Sequence, residues 1–449
     1  MRWLPTLICV FGLAAADDAP AAEALPDERN ASYLEFRTAF DAGNFAAALP
    51  LASRVVEMTR AQYGTDAPEL ANPLSNLATT YLRMREFGLA LDTYRQALTL
   101  LDLQGDATHP KLVRPLHGMG AALRGLDRSE EAIAPLKRAV DITRNRDGLY
   151  AAAQLPILTP LIDSYMASRR FEDAGREQQY AYAVAEAAYG KDDVRLLGPL
   201  DSYARWNETV GRFTAARLLH ARAIQLADAA TPNSIKAIAG LRGIARSFRL
   251  AFLNGETEEA VAEANALPST LGNSTLTRVI SAPSTEGERA LRNALQRLES
   301  SGSTQAALRG ELLIDLGDWY LTAGAAGRAL ASYRDAWPEL VAGGNTQLLA
   351  TPVAVVYRPP NMAVSRSTED ADEFDVRDVE VHLSIAASGA VRDAIVSNPE
   401  PASEAAERAL LAAVKRAAWR PAFSNGEAIA ITDHVLHERL YVRRPKPTP

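Results

Sequence analysis

One spacing constrains this chain more than any other property, a step of 42 residues that returns again and again. Asn44-Phe45, Glu86-Phe87, Arg128-Ser129, Arg170-Phe171 and Arg212-Phe213 stand 42 residues apart. Small residues keep the same step at Ala48, Ala90, Ala132, Ala174 and Ala216, and again at Val55, Ala97, Ala139, Ala181 and Ala223. A fixed period of this length marks a repeat architecture, in which each unit buries its apolar face only against its neighbours. Within a unit the apolar spacing is helical. Leu77, Ala78 and Tyr81 share one helix face, and Ala90, Tyr94 and Ala97 share a face of a second helix after the turn around Arg85-Glu86-Phe87. Each unit is therefore a hairpin of two amphipathic helices, A and B. Aromatic content of only 7%, with Ala dominating the apolar share, favours closely packed helices over a β-sandwich.

The hairpin resembles the tetratricopeptide repeat, in which small residues at these places let helices A and B approach closely. That repeat usually spans ~34 residues; the longer unit adds about two helical turns to the hairpin and is similar to the kinesin-light-chain variety. Tyr63-Gly64 and Tyr189-Gly190, between units, suit helix C-termini at which Gly takes a left-handed conformation. Some positions depart from the pattern: Leu123 and Ser129 in the third unit, Asn207 and His220 in the fifth. Regular units occupy 29–240 and divergent ones 241–342. In the divergent part, Leu241 to Leu267 reads as a sixth unit around Ala260, followed by a Ser/Thr/Pro/Gly-rich interruption at 268–286 and an amphipathic helix at 288–299. A last repeat has Leu316, Gly317, Tyr320, Ala329, Tyr333 and Ala336 in register. The expected fold class is mainly α, an α–α solenoid of tetratricopeptide-like repeats followed by a small α+β domain.

That second domain is read from 376–443. Arg377–Ala386 alternates polar and apolar residues as a half-buried strand does. Ala387-Ser-Gly-Ala390 supplies a turn, Val391–Ser397 a second strand, and Glu404–Ala418 a run of good helix formers. Trp419-Arg-Pro-Ala-Phe-Ser-Asn-Gly426 then leads into a strand-like run ending at Val442. This order resembles the C-terminal domain of TonB-family energy transducers, over about the last seventy residues. The resemblance implies that a short extended segment of an outer-membrane partner adds to a sheet edge. The strand 428–442 is then the candidate edge, with Ile429, Ile431, Asp433, Val435 and His437 along it. Trp419 and Phe423 are expected to fix the helix to the sheet, and Arg420-Pro421 to shape the turn. Residues 343–375 read as a linker whose Val353–Tyr357 part pairs with the sheet, and 444–449 as a tail.

The first residues have the layout of a cleavable secretory signal: Arg2, a short apolar run, then Ala14-Ala15-Ala16 before Asp17-Asp18. The apolar run is shorter than the ~20 residues that span a bilayer. Residues 1–16 are thus expected to be removed after Ala16, with 17–28 a disordered leader and the bacterial periplasm as destination. Cleavage removes the only cysteine, Cys9, leaving neither a thiol nor a tight membrane span. A formal charge of −7 argues against nucleic-acid partners, which need clustered Lys and Arg.

Residues that could carry chemistry do not converge. His434 and His437 lie three apart on a strand and face opposite sides, and surface positions are expected for both. His382, His109, His117 and His220 are scattered. The acidic run 369–375 lacks the glycine turn and ligand spacing of a calcium loop. No phosphate-cradling loop, nucleophile elbow or zinc-protease helix occurs. No cofactor, metal or catalysis is expected. A binding surface is expected instead, a groove lined by the A helices with Asn72, Asn76, Arg83, Arg114, His117, Arg124, Asp163 and Arg205 facing it. Asn amides hold an extended peptide backbone and Arg pairs with carboxylates. The functional expectation is a periplasmic scaffold that binds proteins or peptides, envelope components among them, by groove and by sheet edge. Two other readings stay open: a transport component that keeps its N-terminal anchor and transduces energy, and a cell-wall enzyme using the repeats as a platform.

Overall fold

The structure is a computed structural model that describes residues 27–254, 285–302, 304–360, 374–400 and 403–443. The expected signal segment, nearly all of the leader, the surroundings of Ala260, most of the acidic run and the tail lie outside the described residues. Two compact units divide the chain. The first takes residues up to Gly148 together with Thr159–Arg169, and the second takes Leu149–Leu158 and everything from Arg170 onward.

The A helices are α1 (Asp27–Asp41), α3 (Ala71–Arg83), α5 (Val113–Gly125), α7 (Leu155–Ala167), α9 (Leu197–Thr209), α11 (Ile238–Asn254) and α13 (Ala306–Thr322). The B helices are α2 (Phe45–Tyr63), α4 (Phe87–Asp102), α6 (Ser129–Asp147), α8 (Phe171–Tyr189), α10 (Phe213–Ala230), α12 (Glu286–Ser300) and α14 (Ala326–Gly343). The physical basis of the 42-residue step is visible at each A-to-B turn. Gly43, Arg85, Asp127, Arg169 and Gly211 all have positive φ, as does Gly324 of the last hairpin. The next amide reaches back across the turn: Asn44 to Ala39 O, Glu86 to Tyr81 O, Arg128 to Leu123 O, Arg212 to Asn207 O and Ala325 to Tyr320 O. Such left-handed caps satisfy carbonyls that the A helix leaves free. Four residues into every B helix but α12, Ala48, Ala90, Ala132, Ala174, Ala216 and Ala329 have no exposed surface at all. A larger side chain there would force A and B apart.

One expectation needs correction. Gly64 and Gly190 do have positive φ, but their ψ values of 171° and 149° are extended and not left-handed helical. That region is open to glycine almost alone, and it turns the chain sharply toward the next repeat. Most of the expected 241–267 unit beyond α11, including Ala260, lies outside the described residues. Its first part is α11, and the amphipathic helix α12 packs on both α11 and α13. The polar residues at apolar positions, Asn207 and His220, are buried but bonded: the Asn207 amide donates to Tyr203 O at 2.9 Å and His220 meets Glu208 at 3.2 Å.

A second 42-residue row escaped the sequence reading. Arg138, Tyr180 and Arg222 each lash a B helix to the segment that precedes its hairpin, and Arg54 ties α2 to the first turn of α1. Arg54 pairs with Glu28 at 2.5 Å, and Arg138 pairs with Asp102 while donating to Ala107 O at 3.0 Å. Tyr180 donates to Leu149 O at 2.6 Å and Arg222 to Lys191 O at 2.9 Å.

Within the second unit, α14 is followed by a short 3-10 turn (Thr346–Leu349) and strand β1 (Val353–Val356). Then come β2 (Phe374–Ile385), β3 (Val391–Val396), α15 (Glu404–Arg416), β4 (Ala418–Arg420), β5 (Ala422–Ser424), β6 (Glu427–Ile429) and β7 (Ile431–Arg443). The order β3-β2-β7 forms an antiparallel sheet with the long β2 at its centre, β1 pairs with β4, and β5 with β6. The inner face carries Val379, Val381, Leu383 and Ile385 from β2, packed with Leu410 and Val414 of α15 and with Trp419. Strand alternation set this face, because successive side chains leave a strand on opposite sides.

Here too the sequence reading is revised. The expected final strand breaks at Ala430, so Ile429 belongs to β6 and pairs with Ala422, while Ile431 starts β7. The segment 353–356, expected to join the main sheet, pairs with β4 instead. Trp419 is a core residue, 1% exposed, with its indole N–H on Val414 O at 3.3 Å. Phe423 is not part of that core: it packs edge-on against Tyr333 of α14 at 6.1 Å. Arg420 does more than shape a turn, since it is buried and paired with Asp318 of α13 at 3.2 Å. His434 faces inward and meets the Trp419 ring at 5.6 Å, so it is not a surface residue. His437 faces outward beside Glu380.

Candidate peptide-binding face

In the first unit, α3 and α5 lie side by side and carry Arg83, Arg114 and Arg124 with no acidic residue between them. The Arg114 guanidinium donates to Asn76 Oδ1 at 2.7 Å, a neutral partner that leaves its charge uncompensated. Arg83 is exposed and lies over the Phe45 ring at 5.9 Å, again with no carboxylate partner among the described residues. On the neighbouring α4, the buried Tyr94 hydroxyl lies 2.9 Å from Thr79 Oγ1. Burial pushes the Tyr94 phenol up, while the Thr79 hydrogen bond and the positive fields of Arg114 and Arg83 pull it down. Further along, Arg124 pairs with Asp163 at 2.8 Å. His117 sits partly buried beside Arg124, and burial together with that charge holds its imidazole below the usual range. Asp163 keeps half its side-chain surface open but is crowded by protein otherwise; burial raises its carboxyl, against the pull of Arg124.

The structure thus joins Asn76 with Arg114 and Arg124 with Asp163, and it leaves Asn72 exposed at the start of α3. Arg205, in the second unit, pairs with Asp201 of its own helix at 2.9 Å. The second unit's A helices are closed electrostatically. Glu208 binds Arg246 Nε at 2.7 Å and Ser247 Oγ at 2.6 Å. Arg242 holds both Glu311 at 2.8 Å and Asp315 at 2.5 Å. Glu208, Arg242, Arg246, Ser247, Glu311 and Asp315 were not singled out from the sequence, and the pairings among the groove candidates were not either. The signal for them exists: Asn76 to Arg114, Arg124 to Asp163 and Glu208 to Arg246 are 38 or 39 residues apart. That is one repeat less about one helical turn, the separation that sets two side chains against each other on neighbouring A helices.

Of the sheet-edge candidates, Asp433 meets His382 at 2.6 Å and His437 meets Glu380 at 3.5 Å, both across β2–β7 on the outer face. Val435 sits opposite His382 and Ile431 opposite Ile385. Among the described residues, β7 has β2 on one side and no strand on the other. Among the same residues, no group of three or more His, Cys, Asp or Glu is arranged to hold a metal ion, and no helix is long and apolar enough to cross a membrane.

Fold and face together define a helix-hairpin repeat protein with an α+β segment on its last repeat. Residues 37–103 match the family model of the tetratricopeptide repeat. No curated protein matches the chain. Among solved structures, the chain is similar to a variant of a putative kinesin light chain with nearly identical TPR-like repeats from Podosopora anserina: 18% identity, 45% of this chain, 96% of that one, TM-score 0.38. It is also similar to aspartyl phosphate phosphatase F of Bacillus subtilis, at 16% identity, 71% and 74% coverage and TM-score 0.40. A third is the Rap conjugation gene regulator of plasmid pLS20 in complex with the Phr* peptide, at 12% identity, 73% and 82% coverage and TM-score 0.34.

Proposed function

We propose that this protein is an interaction scaffold that binds an extended, acidic segment of another protein along the A-helix face of its first unit. The observation that carries this reading is the pair of exposed guanidiniums on neighbouring A helices, Arg114 bonded to the neutral Asn76 amide and Arg83 over the Phe45 ring, with no carboxylate partner for either among the described residues. Uncompensated cations on a helix face attract a carboxylate, and Arg binds one in bidentate fashion. Asn72, Asn76 and His117 then meet the backbone of the bound segment, and Arg124 exchanges Asp163 for a second acidic group of the ligand. Binding is measured by fluorescence anisotropy with a labelled peptide carrying several Asp and Glu, against its Asn/Gln counterpart. The acidic peptide binds more tightly, and added salt weakens it. Arg114→Ala or Arg83→Ala lowers affinity by about tenfold or more, as expected for a charge pair at an interface. Equal binding of the acidic and neutral peptides overturns the reading.

The edge of β7 is the second docking place in this reading, supported by its unpaired side and by the TonB-like order of elements. Export to a periplasm follows from the layout of residues 1–16. Mass spectrometry of the mature protein then finds Asp17 as the first residue. A retained N-terminus favours the anchored, energy-transducing alternative instead, because a force can be passed only along a chain that is held.

A further inference from the structure

The last hairpin, α13–α14, meets the α+β segment with a pattern that the first unit uses between consecutive repeats. Thr79 and Asp318 hold the same place in their hairpins, as do Tyr94 and Tyr333, and each pair is joined at 2.9 Å through the Tyr hydroxyl. In the first unit the next A helix, α5, completes this cluster. Its Arg114 reaches Asn76 and bears on Tyr94, and Gly118 lets the helix press on the Tyr94 ring, where a Cβ would come within 2.2 Å. Among the described residues beyond α13–α14, no A helix follows. Arg420 of β4 comes instead, with Nη1 at 3.2 Å and 3.3 Å from the two Asp318 oxygens and its guanidinium 6.0 Å from the Tyr333 ring. Phe423 covers the Tyr333 ring edge-on at 6.1 Å, and the Gly426 turn lies against Trp337. β1 and β4 run along α13, and β6 touches α14. Asp318, Tyr333 and Arg420 are all buried, and the apolar core that begins at Ile238 continues without a break to Phe423.

We infer that β1, β4 and the β5–β6 hairpin stand in for the A helix of a further repeat, so that the α+β segment caps the repeats and shares one cooperative unfolding with α13–α14. A repeat cannot bury its own outer face, and terminal repeats need a cap. Here the cap is a different fold, keyed by one ion pair that neither partner tolerates losing alone. A carboxylate left buried without its guanidinium is strongly destabilising, whereas removing both charges costs far less.

Hydrogen exchange on the full chain reads this directly. In the wild type, amides of α13, α14 and the central strand β2 exchange through a common opening. Arg420→Met raises exchange by about a hundredfold in α13 and α14 as well as in β4, as the loss of one partner of a buried pair predicts. Asp318→Asn added to Arg420→Met restores most of the protection, because the Asn oxygen still accepts from Tyr333. Arg439→Met, which breaks the exposed pair with Asp378 on the same sheet, leaves α13 and α14 unchanged. The inference is overturned if Arg420→Met loosens the strands while α13–α14 keep wild-type protection. Should that variant fail to fold, separate opening energies for α13–α14 and β2 in the wild type overturn it equally.

Discussion

Glu208 sits on α9 with its side chain almost wholly buried. Burial alone would push its carboxyl up, but the His220 hydrogen bond and the charge of Arg246 outweigh that and hold it at about 2. A carboxylate whose folded value is depressed stabilises the fold above its unfolded value near 4.5, and that contribution disappears as pH falls from 4.5 toward 2. The shift corresponds to about 3 kcal/mol. Urea melts at pH 5 and pH 2.5 are expected to differ more for the wild type than for Glu208→Gln, by roughly that amount. Equal differences would show that Glu208 does not link folding to pH. From sequence, Asn207 and His220 were only visible as polar residues at apolar places. Their neighbours were invisible, because Glu208, Arg246 and Ser247 come together only when α9, α10 and α11 pack.

At the scale of elements, the A-to-B turn was the most legible feature. Its left-handed residue is Gly at positions 43, 211 and 324 but Arg85, Asp127 and Arg169 elsewhere. A non-glycine residue with positive φ costs about 1–2 kcal/mol, partly offset by the extra unfolded-state entropy of glycine. Arg169 is exposed and has φ of 60°, so Arg169→Gly is expected to raise stability by about 0.5–1 kcal/mol in denaturant titration. A loss of stability would mean that the Arg169 side chain makes a compensating contact. Strands β2 and β3 and helix α15 were legible for the same reason, since period two and period 3.6 leave distinct apolar patterns. The last strand was read as continuous because Ile429 and Ile431 alternate across Ala430. Only the pairing of Ile429 with Ala422 and of Ile431 with Ile385 reveals two strands.

Across the whole molecule, the chain's own spacing decided that it would build helix hairpins, where they turn, and which small residues seal each A helix to its B helix. These are short-range matters, fixed by backbone conformation and side-chain volume within one 42-residue step, and the sequence carries them explicitly. It also named most residues of the basic face, since Arg83, Arg114 and Arg124 follow from the helical register. What those residues do was decided by packing. Arg124 is neutralised by Asp163, Arg114 meets only an amide, and Arg242 is shared between two carboxylates. Such differences depend on which side chains neighbouring A helices bring within about 3 Å. The packing of α12 on α11 and the seating of Arg420 on Asp318, 102 residues earlier, were likewise settled by tertiary structure alone. Contacts between residues so far apart leave no periodic trace in the chain, because the partner of a buried charge is chosen by the fold that surrounds it.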